Sequence, residues 1–404
     1  MTIDLASIAI TPEQATRNIM ISGLPGSGKT VLVWFLLDSL LKGFPDEDIR
    51  ILLTDPKKEN TPIVAGALPP WAPIWLTHPD EARSVRIAFG KIYKTFSDAE
   101  RLSHHLIQDE KNSVEKYWRN IARLLLSYEI LWYQTKHPGN WTLHDLVTAG
   151  TNSAELERKL GRFPPSQSLI QATFQDPEHR GKVVSSLGSY LGQYRALAQN
   201  WQKCKDEISL ENILSSRCVL MLGHDELYPS QFARLNSLII SELSAAILSK
   251  RDQSKRHYLI LDEFALLKGF TDIRELLLKG RDSNISVVLT FQDPAAVISV
   301  LGKDRFIEIT SMCQFKVFLK QGPEASRWAS EQCGQREVKE GSAIKQRPII
   351  LPDEFMNLSL ATGRTIDGFI TTPYGAPARF SLPFRKRLIS IFQKASGRGF
   401  IPRS

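Results

Sequence analysis

The chain has 404 residues, of which 42% are hydrophobic and 23% are charged, and its formal net charge is +8. This composition is typical of a globular protein and excludes a largely disordered chain, which combines low hydrophobicity with high net charge. The length predicts two or three domains. The longest uninterrupted apolar run, 31–37, is far shorter than the roughly 20 residues of a membrane helix, so we expect no membrane-spanning segment.

The cysteines and the amino terminus indicate the compartment. The four cysteines are scattered and show no C-x-x-C spacing, which argues against a zinc site or a disulfide framework. The first residues lack the basic and then apolar order of a signal peptide. We therefore expect a protein of the reducing cytoplasm.

Positive charge is concentrated in two segments. Residues 385–404 contain six lysines and arginines and no acidic residue, and residues 111–205 contain 13 basic against 7 acidic residues. The rest of the chain is therefore slightly acidic. Two basic segments suit a polyanionic partner but do not identify one.

Regular structure starts with a strand, a glycine-rich loop and a helix. Residues 18–23 predict a buried strand, 23–30 the loop, and the apolar stretch to Leu41 the helix. A second strand is predicted at 49–54, and it ends in Asp55-Pro56-Lys57. This order is typical of a parallel α/β sheet. The final triplet is expected to lie near a ligand, to connect the sheet to the next domain, or to form a simple turn.

Helical periodicity then dominates residues 81–205. We expect an all-α domain inserted between a first part of the α/β domain, 1–80, and a second part, 206–383, with 384–404 as a basic tail. The helices predicted in the insertion are 113–135, 143–147, 154–160 and 183–201.

Short β-branched runs return after residue 205, as expected for strands buried on both faces. We also expect a terminal hairpin within 351–383 and an exposed loop at 334–348. The predicted strands are 218–223, 257–261, 285–290 and 314–319, and the predicted helices are 231–249 and 273–279. The fold class is therefore α/β with a parallel-rich central sheet.

The loop at 23–30, GLPGSGKT, is a complete Walker A motif. Its glycines let backbone N–H groups surround phosphate oxygens, and the following helix adds its positive end. Lys29 is expected to reach the β- and γ-phosphates, and Thr30 to ligate Mg²⁺. Its position between strand and helix makes a chance glycine-rich turn the weaker alternative. The predicted ATP-binding residues are Gly23, Gly26, Ser27, Gly28, Lys29 and Thr30.

The sequence HYLILDE, residues 257–263, is a candidate Walker B motif. Its hydrophobic strand brings Asp262 to the sheet edge, where it is expected to hold Mg²⁺ through a water shell. Glu263 is expected to orient or activate the attacking water, which favours a hydrolase over a kinase. The alternative is a buried strand that ends in solvated acids.

Two further polar residues are candidate catalytic residues. Gln292 ends the strand after Walker B, where open α/β sheets bind their ligands. Its alternative role is a hydrogen bond to a loop. Arg281, between a helix and that strand, is a candidate arginine finger for a neighbouring subunit. Its alternative role is to neutralise a helix carboxyl end.

The order of the motifs resembles that of type IV coupling proteins, the TraD/TraG group of conjugation ATPases, which are related to the ring motors FtsK and HerA. The resemblance covers roughly residues 15–383 and implies a RecA-like P-loop NTPase domain with an inserted all-α domain. The segments that carry it are GLPGSGKT, TDPK, LILDEFALL, KGRDSNISVVLTFQDPAAV and LPDEFMNLSLATGRTIDGF.

The resemblance implies an ATP-hydrolysing, Mg²⁺-dependent DNA translocase that delivers DNA or nucleoprotein to a type IV secretion system. By carry-over, Lys29, Thr30 and Asp262 bind ATP and Mg²⁺, and Glu263 activates water. Gln292 is similar to the family's nucleotide-sensing glutamine, and we assign Arg281 as the trans-acting arginine. The implied partners are DNA, a relaxase or other secreted protein, and a secretion-channel or membrane protein. The active protein is expected to be a homo-hexamer, and the isolated chain a monomer.

One feature departs from the family pattern. Members usually begin with a transmembrane anchor, and nothing before residue 18 has room for one. We therefore expect either an anchorless member or one that is peripheral at the inner membrane through a partner. Two other functions stay open: a soluble HerA-like motor for DNA processing or packaging, and a nucleotide-gated adaptor with little turnover. Glu263 argues against the adaptor, because a pure switch needs no water-activating carboxylate.

Overall fold

The computed structural model describes residues 1–78, 81, 83–107, 116–267, 270, 273–340, 343–361 and 364–397. Its strands are β1 (Ile3–Leu5), β2 (Ile8–Ile10), β3 (Ile19–Ser22), β4 (Ile49–Thr54), β5 (Ile74–Leu76), β6 (Arg86–Ile87), β7 (Glu207–Ile208), β8 (Cys218–Leu222), β9 (Arg256–Leu261), β10 (Ile285–Phe291), β11 (Phe315–Phe318), β12 (Gln335–Glu340), β13 (Ala343–Pro348), β14 (Thr365–Thr372) and β15 (Gly375–Pro383).

The α-helices are α1 (Pro12–Ala15), α2 (Lys29–Gly43), α3 (Thr61–Ala67), α4 (Phe89–Ile92), α5 (Phe96–Leu106), α6 (Lys116–Lys136), α7 (Leu143–Gly150), α8 (Ser153–Leu160), α9 (Gln167–Phe174), α10 (Pro177–Gly192), α11 (Arg195–Gln202), α12 (Leu210–Ser215), α13 (Pro229–Lys250), α14 (Ile273–Lys279), α15 (Pro294–Leu301), α16 (Lys303–Met312), α17 (Pro323–Gln332), α18 (Pro352–Met356) and α19 (Arg385–Gly397). Short 3-10 turns occur at Pro164–Ser166, Phe264–Leu266 and Gly280–Ser283.

The chain divides into two compact units. The first, which we call the sheet unit, contains Met1–Ile74, Ser216–Gly223 and the described chain from Leu243 onward. The second, which we call the helical unit, contains the described parts of Trp75–Ser215 together with His224–Glu242.

A nine-stranded sheet forms the centre of the fold, in the order β15-β14-β11-β3-β10-β9-β4-β8-β5. The run from β11 to β8 is parallel throughout, and β14 and β15 add an antiparallel edge. Strands β3, β4, β8 and β10 are buried along their whole lengths, which explains their continuous apolar sequences. The predicted parallel-rich sheet is confirmed.

The register of this sheet positions the predicted motifs at one edge. Ser22 at the end of β3 pairs with Phe291 at the end of β10, and Leu261 at the end of β9 pairs with Leu289. Because the strands are parallel, the segments that follow them leave the sheet on the same side. Open α/β sheets bind ligands at this carboxyl edge.

The helical unit has its own core, built on the long helix α6, which packs against α5, α7, α8 and α10. Leu125, Leu126, Leu146, Leu187 and Leu191 are buried among these helices. Capping side chains begin the helices α5, α7, α8 and α10. These caps and the apolar periodicity account for the predicted helical character.

Several sequence expectations need correction. The predicted exposed loop at 334–348 is the antiparallel hairpin β12–β13, whose sequence is mostly polar, so no apolar alternation indicated a strand. The single predicted helix 183–201 is two helices, α10 and α11, because the chain bends at Gln193 and Tyr194. The hairpin β1–β2 was not predicted. The expected terminal hairpin is β14–β15.

Within the described residues, one helix, α13, is long and apolar enough by length and composition to span a membrane. This helix has no long uninterrupted apolar run, because serines and a glutamate divide its sequence. Of the apolar stretch of this helix, 72% is buried inside the protein, which is typical of a core helix.

Candidate nucleotide-binding site

A cavity of about 270 Å³ opens at the carboxyl edge of the central sheet. The P-loop supplies one part of its wall, and the segments after β4, β9, β10 and β15 supply others. The lining residues are Pro25, Gly26, Gly28, Lys29, Thr30, Val31, Pro56, Lys57, Asp262, Glu263, Gln292, Ala361 and Phe384.

Each glycine of the P-loop is required for a different steric reason. Gly28 has a φ of 103° and precedes α2, and a Cβ at this position would lie 2.9 Å from Cγ1 of Ile366. Gly26 has a φ of 74°, and a Cβ added there would have nothing within 4 Å, so conformation alone requires glycine at this position. A Cβ on Gly23 would lie 2.6 Å from Oγ of Ser27. The loop therefore combines left-handed backbone with close packing.

Lys29 lies folded against the P-loop backbone. Its Nζ donates hydrogen bonds to the carbonyl oxygens of Gly23 (2.6 Å) and Leu24 (3.2 Å). Burial lowers the pKa of Lys29, and the nearby carboxylates of Glu263 and Asp262 oppose that shift. The charged amine is thus held at the cavity wall by groups that phosphate oxygens can replace.

The Walker B carboxylates are joined to the neighbouring strand through one hydroxyl. Thr290 Oγ1 donates to Oδ1 of Asp262 (2.5 Å) and accepts the N–H of Glu263 (3.0 Å). Gln292 Nε2 donates to Oε2 of Glu263 (2.8 Å). Glu263 has a φ of 53°, a left-handed conformation that costs a non-glycine residue about 1–3 kcal/mol. The structure therefore brings Lys29, Asp262, Glu263 and Gln292 to one cavity.

In the triplet Asp55-Pro56-Lys57 after β4, the first residue has a structural role and the other two line the cavity. Asp55 is buried and accepts hydrogen bonds from N and Nδ2 of Asn60 and from N and Oγ1 of Thr61, at 2.8–3.1 Å. Burial raises the pKa of Asp55, and these bonds lower it in part. Pro56 and Lys57 line the cavity. Asp55 thus secures the start of α3 while its neighbours reach the site.

Arg281 is not among the cavity-lining residues of its own chain. It lies exposed in the turn Gly280–Ser283, before the amino end of β10. Gln292 follows the other end of this seven-residue strand, which is about 20 Å long at the usual rise per residue. Arg281 therefore does not join the other predicted site residues within one chain.

Three residues of the site escaped the sequence prediction. Thr290 precedes Gln292 by two residues, and the period of a strand places both side chains on the same face, so alternation offered a signal. Ile366 and Phe384 come from the distant segment at the β14–β15 edge. No local pattern links that segment to the P-loop, because the contact depends on sheet order.

The P-loop residues fit the phosphates of a nucleoside triphosphate. Ser27 Oγ is buried and has no hydrogen-bond partner among the described residues, and the space beside Gly26 is open. A buried hydroxyl without a partner is uncommon and suits an added acceptor. Thr30 and Asp262 both line the cavity, with hydroxyl and carboxylate oxygens of the kind that Mg²⁺ prefers.

The comparisons with known proteins agree with this geometry. A family model described as the type IV secretion-system coupling protein DNA-binding domain matches residues 2–383. The chain belongs to the type IV coupling protein family. The predicted family resemblance is therefore confirmed, and the matched region is the DNA-binding domain of a secretion-system coupling protein. None of the curated proteins matches this chain.

Solved structures support the fold class. The fold is similar to that of the unbound bacterial conjugative coupling protein TrwBdeltaN70, with a TM-score of 0.74 and 18% identity over 94% of this chain and 88% of that one. TrwB in complex with ADP and Mg²⁺ gives the same values. VirB4 of Thermoanaerobacter pseudethanolicus gives a TM-score of 0.58 and 14% identity over 91% of this chain and 88% of that one. The predicted RecA-like fold with a helical domain is confirmed.

Proposed function

We propose that this coupling protein hydrolyses ATP with Mg²⁺ to move DNA toward a type IV secretion system. The observation that carries the proposal is the placement of Lys29 with Asp262, Glu263 and Gln292 in one cavity. The complexes of TrwB with ADP and Mg²⁺ and with a non-hydrolysable ATP analogue support the choice of ligand.

Each residue has a chemical role in this proposal. Bound Mg²⁺–ATP supplies the electrophilic γ-phosphorus and a cation that neutralises the phosphate oxygens. Lys29 exchanges its carbonyl partners for phosphate oxygens, and the P-loop N–H groups hold the rest of the phosphate chain. Thr30 and Asp262 are the residues for the metal.

Glu263 is the general base of this scheme. Its carboxylate accepts a proton from the attacking water, and Gln292, already bonded to Oε2, fixes the carboxylate and the water together. Thr290 couples Asp262 to the backbone of Glu263, so the metal-holding and water-holding groups keep a fixed relation. A pure nucleotide switch does not require this set.

Assembly and partners extend the proposal. Arg281, remote from the cavity of its own chain, would act as an arginine finger in a neighbouring subunit of a homo-hexamer. We further propose a relaxase or secreted protein and a membrane or channel protein as partners, and the four-part division 1–80, 81–205, 206–383 and 384–404.

The hydrolysis proposal is tested by steady-state ATP turnover with and without DNA. The wild-type chain should hydrolyse ATP, and DNA should stimulate the rate. Lys29→Ala should weaken ATP binding and abolish turnover, because the buried amine at the P-loop is lost. ATP binding without any turnover, under all DNA conditions, would instead favour the nucleotide-gated adaptor.

The trans role of Arg281 is tested by mixing two inactive variants, Lys29→Ala and Arg281→Ala. In a ring with trans fingers, some interfaces pair an intact P-loop with an intact Arg281, so mixing should restore part of the activity. An arginine finger contributes about 10³–10⁵ in rate. Full activity of Arg281→Ala alone, or a mixture as inactive as its parts, would contradict the trans role.

A further inference from the structure

Phe384 is the aromatic residue among the described residues that line the cavity, whose other apolar side chains are Pro25, Val31, Pro56 and Ala361. It directly follows β15, and the residue is 6% exposed although it lines the cavity. Its N–H donates to the carbonyl oxygen of Arg364 (3.1 Å), which continues the β14–β15 pairing by one residue. The ring is therefore carried by the antiparallel edge of the central sheet.

This edge meets the P-loop on the side of Gly28. Ile366, two residues after the partner of Phe384, is the side chain that a Cβ on Gly28 would strike. Glu263 and Asp262 act electrostatically on Lys29 and are joined to Thr290 on β10. The catalytic carboxylates and Phe384 thus reach the P-loop from different strands, β9 and β15.

The helix that directly follows Phe384, α19, is itself held in place by Arg387. Arg387, in the first turn of α19, forms ion pairs with Asp4 (2.7 Å) and with Asp38 on α2 (3.6 Å). Its guanidinium lies 4.3 Å from the ring centroid of Phe35 and donates to the carbonyl oxygen of that residue (3.2 Å). Arg387 therefore fastens α19 to the helix that begins with the P-loop lysine.

We propose that Phe384 forms the nucleobase wall of the nucleotide site and that Arg387 is the positioning residue that holds it there. The inference rests on the proposed nucleotide binding. The phosphate chain occupies the polar P-loop, so the apolar ring is left for the base, which stacks on aromatic faces. Phenylalanine has no hydrogen-bonding group, so this wall does not distinguish adenine from guanine. Structures of TrwB with both GTP and ATP analogues are in keeping with such tolerance.

The experiment compares ligands that share phosphates and differ in the base. Equilibrium dissociation constants are measured for ATP, GTP and inorganic triphosphate with the full wild-type chain, Phe384→Ala and Phe384→Tyr. Loss of one stacking face should weaken ATP and GTP by about tenfold in Phe384→Ala and leave triphosphate unchanged. Phe384→Tyr, which keeps the aromatic ring, should recover the ATP and GTP affinity that Phe384→Ala loses.

Each other result overturns the inference. Unchanged ATP affinity in Phe384→Ala shows that the ring does not contact the base. Equal weakening of ATP and triphosphate shows that Phe384 supports the P-loop instead. If the wild-type chain binds neither ATP nor triphosphate, the proposed nucleotide site itself fails, and the base wall fails with it.

The positioning role of Arg387 has a matched control on the same helix. Arg387→Ala should reproduce the base-selective loss of Phe384→Ala, whereas Arg385→Ala, which alters an exposed residue, should not. Arg387→Lys retains a charge for Asp4 and Asp38 and should recover part of the affinity for ATP. A loss in Arg387→Ala that extends to triphosphate would assign this residue to general stability of the sheet unit.

Discussion

Asp55 and Glu129 are both buried acidic side chains, one in each compact unit, and their surroundings are opposite. Asp55 accepts four hydrogen bonds from two consecutive residues. Glu129, on α6, is fully buried against Gly150 and Leu191, and neither of its carboxylate oxygens has a hydrogen-bond partner among the described residues. Burial raises the pKa of both groups, and that of Glu129 well above its ordinary value.

The difference shows how internal partners oppose burial: four donors partly offset the effect of burial on the pKa of Asp55, whereas the carboxylate of Glu129 has no such donors among the described residues. The four donors around Asp55 stabilise its charged form, so the residue secures the loop that carries Lys57 to the cavity. Glu129 has only the nearby charge of Lys159 to favour ionisation, so its neutral form is preferred in the folded helical unit. In the proposed hydrolysis Glu263 acts as the charged general base, whereas Glu129 has no role in that scheme.

The largest expected effect comes from the same substitution at two glutamates. Glu263→Gln should retain ATP binding and lose on the order of 10²–10⁴ in turnover, because the base is removed while the side chain keeps its shape. Glu129→Gln should leave turnover near the wild-type rate, because Glu129 is not among the residues that line the cavity. Steady-state ATP hydrolysis measures both. Near-normal turnover in Glu263→Gln would refute the role of Glu263.

The pH dependence of stability sharpens the contrast. The raised folded-state pKa of Glu129 means that its contribution is fully present below the unfolded pKa near 4.5 and is lost as pH rises toward the folded value. Glu129→Gln cannot ionise. As pH rises from 4.5, the free energy of unfolding of Glu129→Gln should therefore increase relative to that of wild type, by up to about 1.4 kcal/mol per pH unit.

The test is a set of thermal unfolding curves between pH 5 and 8. The difference in melting temperature at low pH also reflects the hydrogen-bond donors that the new amide introduces. The test is therefore how that difference changes with pH. Parallel curves for wild type and Glu129→Gln would show that Glu129 is ionised in the folded protein. Asp145→Asn, at the α7 cap, is a control for general loss of a carboxylate from the same unit.

Asp55→Asn should have a smaller effect of the opposite kind. The amide nitrogen of asparagine faces either the two donors of Asn60 that Oδ1 of Asp55 accepted or the two donors of Thr61 that Oδ2 accepted. Loss of such buried bonds costs on the order of 1–3 kcal/mol in stability. Thermal unfolding at pH 7 measures this change, and Glu59→Gln, on the same loop, is the exposed control. An unaltered melting temperature would show that the donors find other partners.

Much of the nucleotide site could be predicted from sequence because its information is local. Residues 23–30 lie between a strand and a helix, and Asp262 follows an apolar strand, so periodicity and motif placed them correctly at the sheet edge. Gln292 was placed by the same rule. These are consequences of parallel strands that end at one edge.

The remainder could not be predicted because it depends on contacts between distant segments. Phe384 reaches the P-loop only through the order of the sheet, in which β14 follows β11 beside β3. Glu129 lies in a helix of ordinary amphipathic pattern, and nothing local shows that a neighbouring glycine allows it to be buried. Hairpin β12–β13 has a mostly polar sequence and therefore lacks the alternation that indicates strands.

The smallest expected effect concerns the basic tail, where cations with internal partners can be compared with cations that are exposed. The arginines and lysines of this segment suit a polyanionic partner without identifying it, and their contact with DNA phosphates is the hypothesis to be tested. Two of these residues, Arg398 and Arg403, lie outside the described residues. Arg387 already has internal partners, whereas Arg385 and Lys386 are exposed at the start of α19. The charge available to DNA in this turn is therefore that of Arg385 and Lys386.

Replacement of Arg385 and Lys386 by alanine should reduce the dependence of duplex DNA affinity on salt, by about 0.9 in logarithmic slope for each phosphate that the protein no longer neutralises. Arg387→Ala should leave that slope unchanged, because its charge is neutralised within the protein by Asp4 and Asp38. Fluorescence anisotropy with labelled duplex at several salt concentrations gives the slopes. Equal decreases for both variants would show that internal ion pairs do not withhold a cation from DNA. No change in either variant would assign DNA binding to other surfaces, such as the basic segment 111–205.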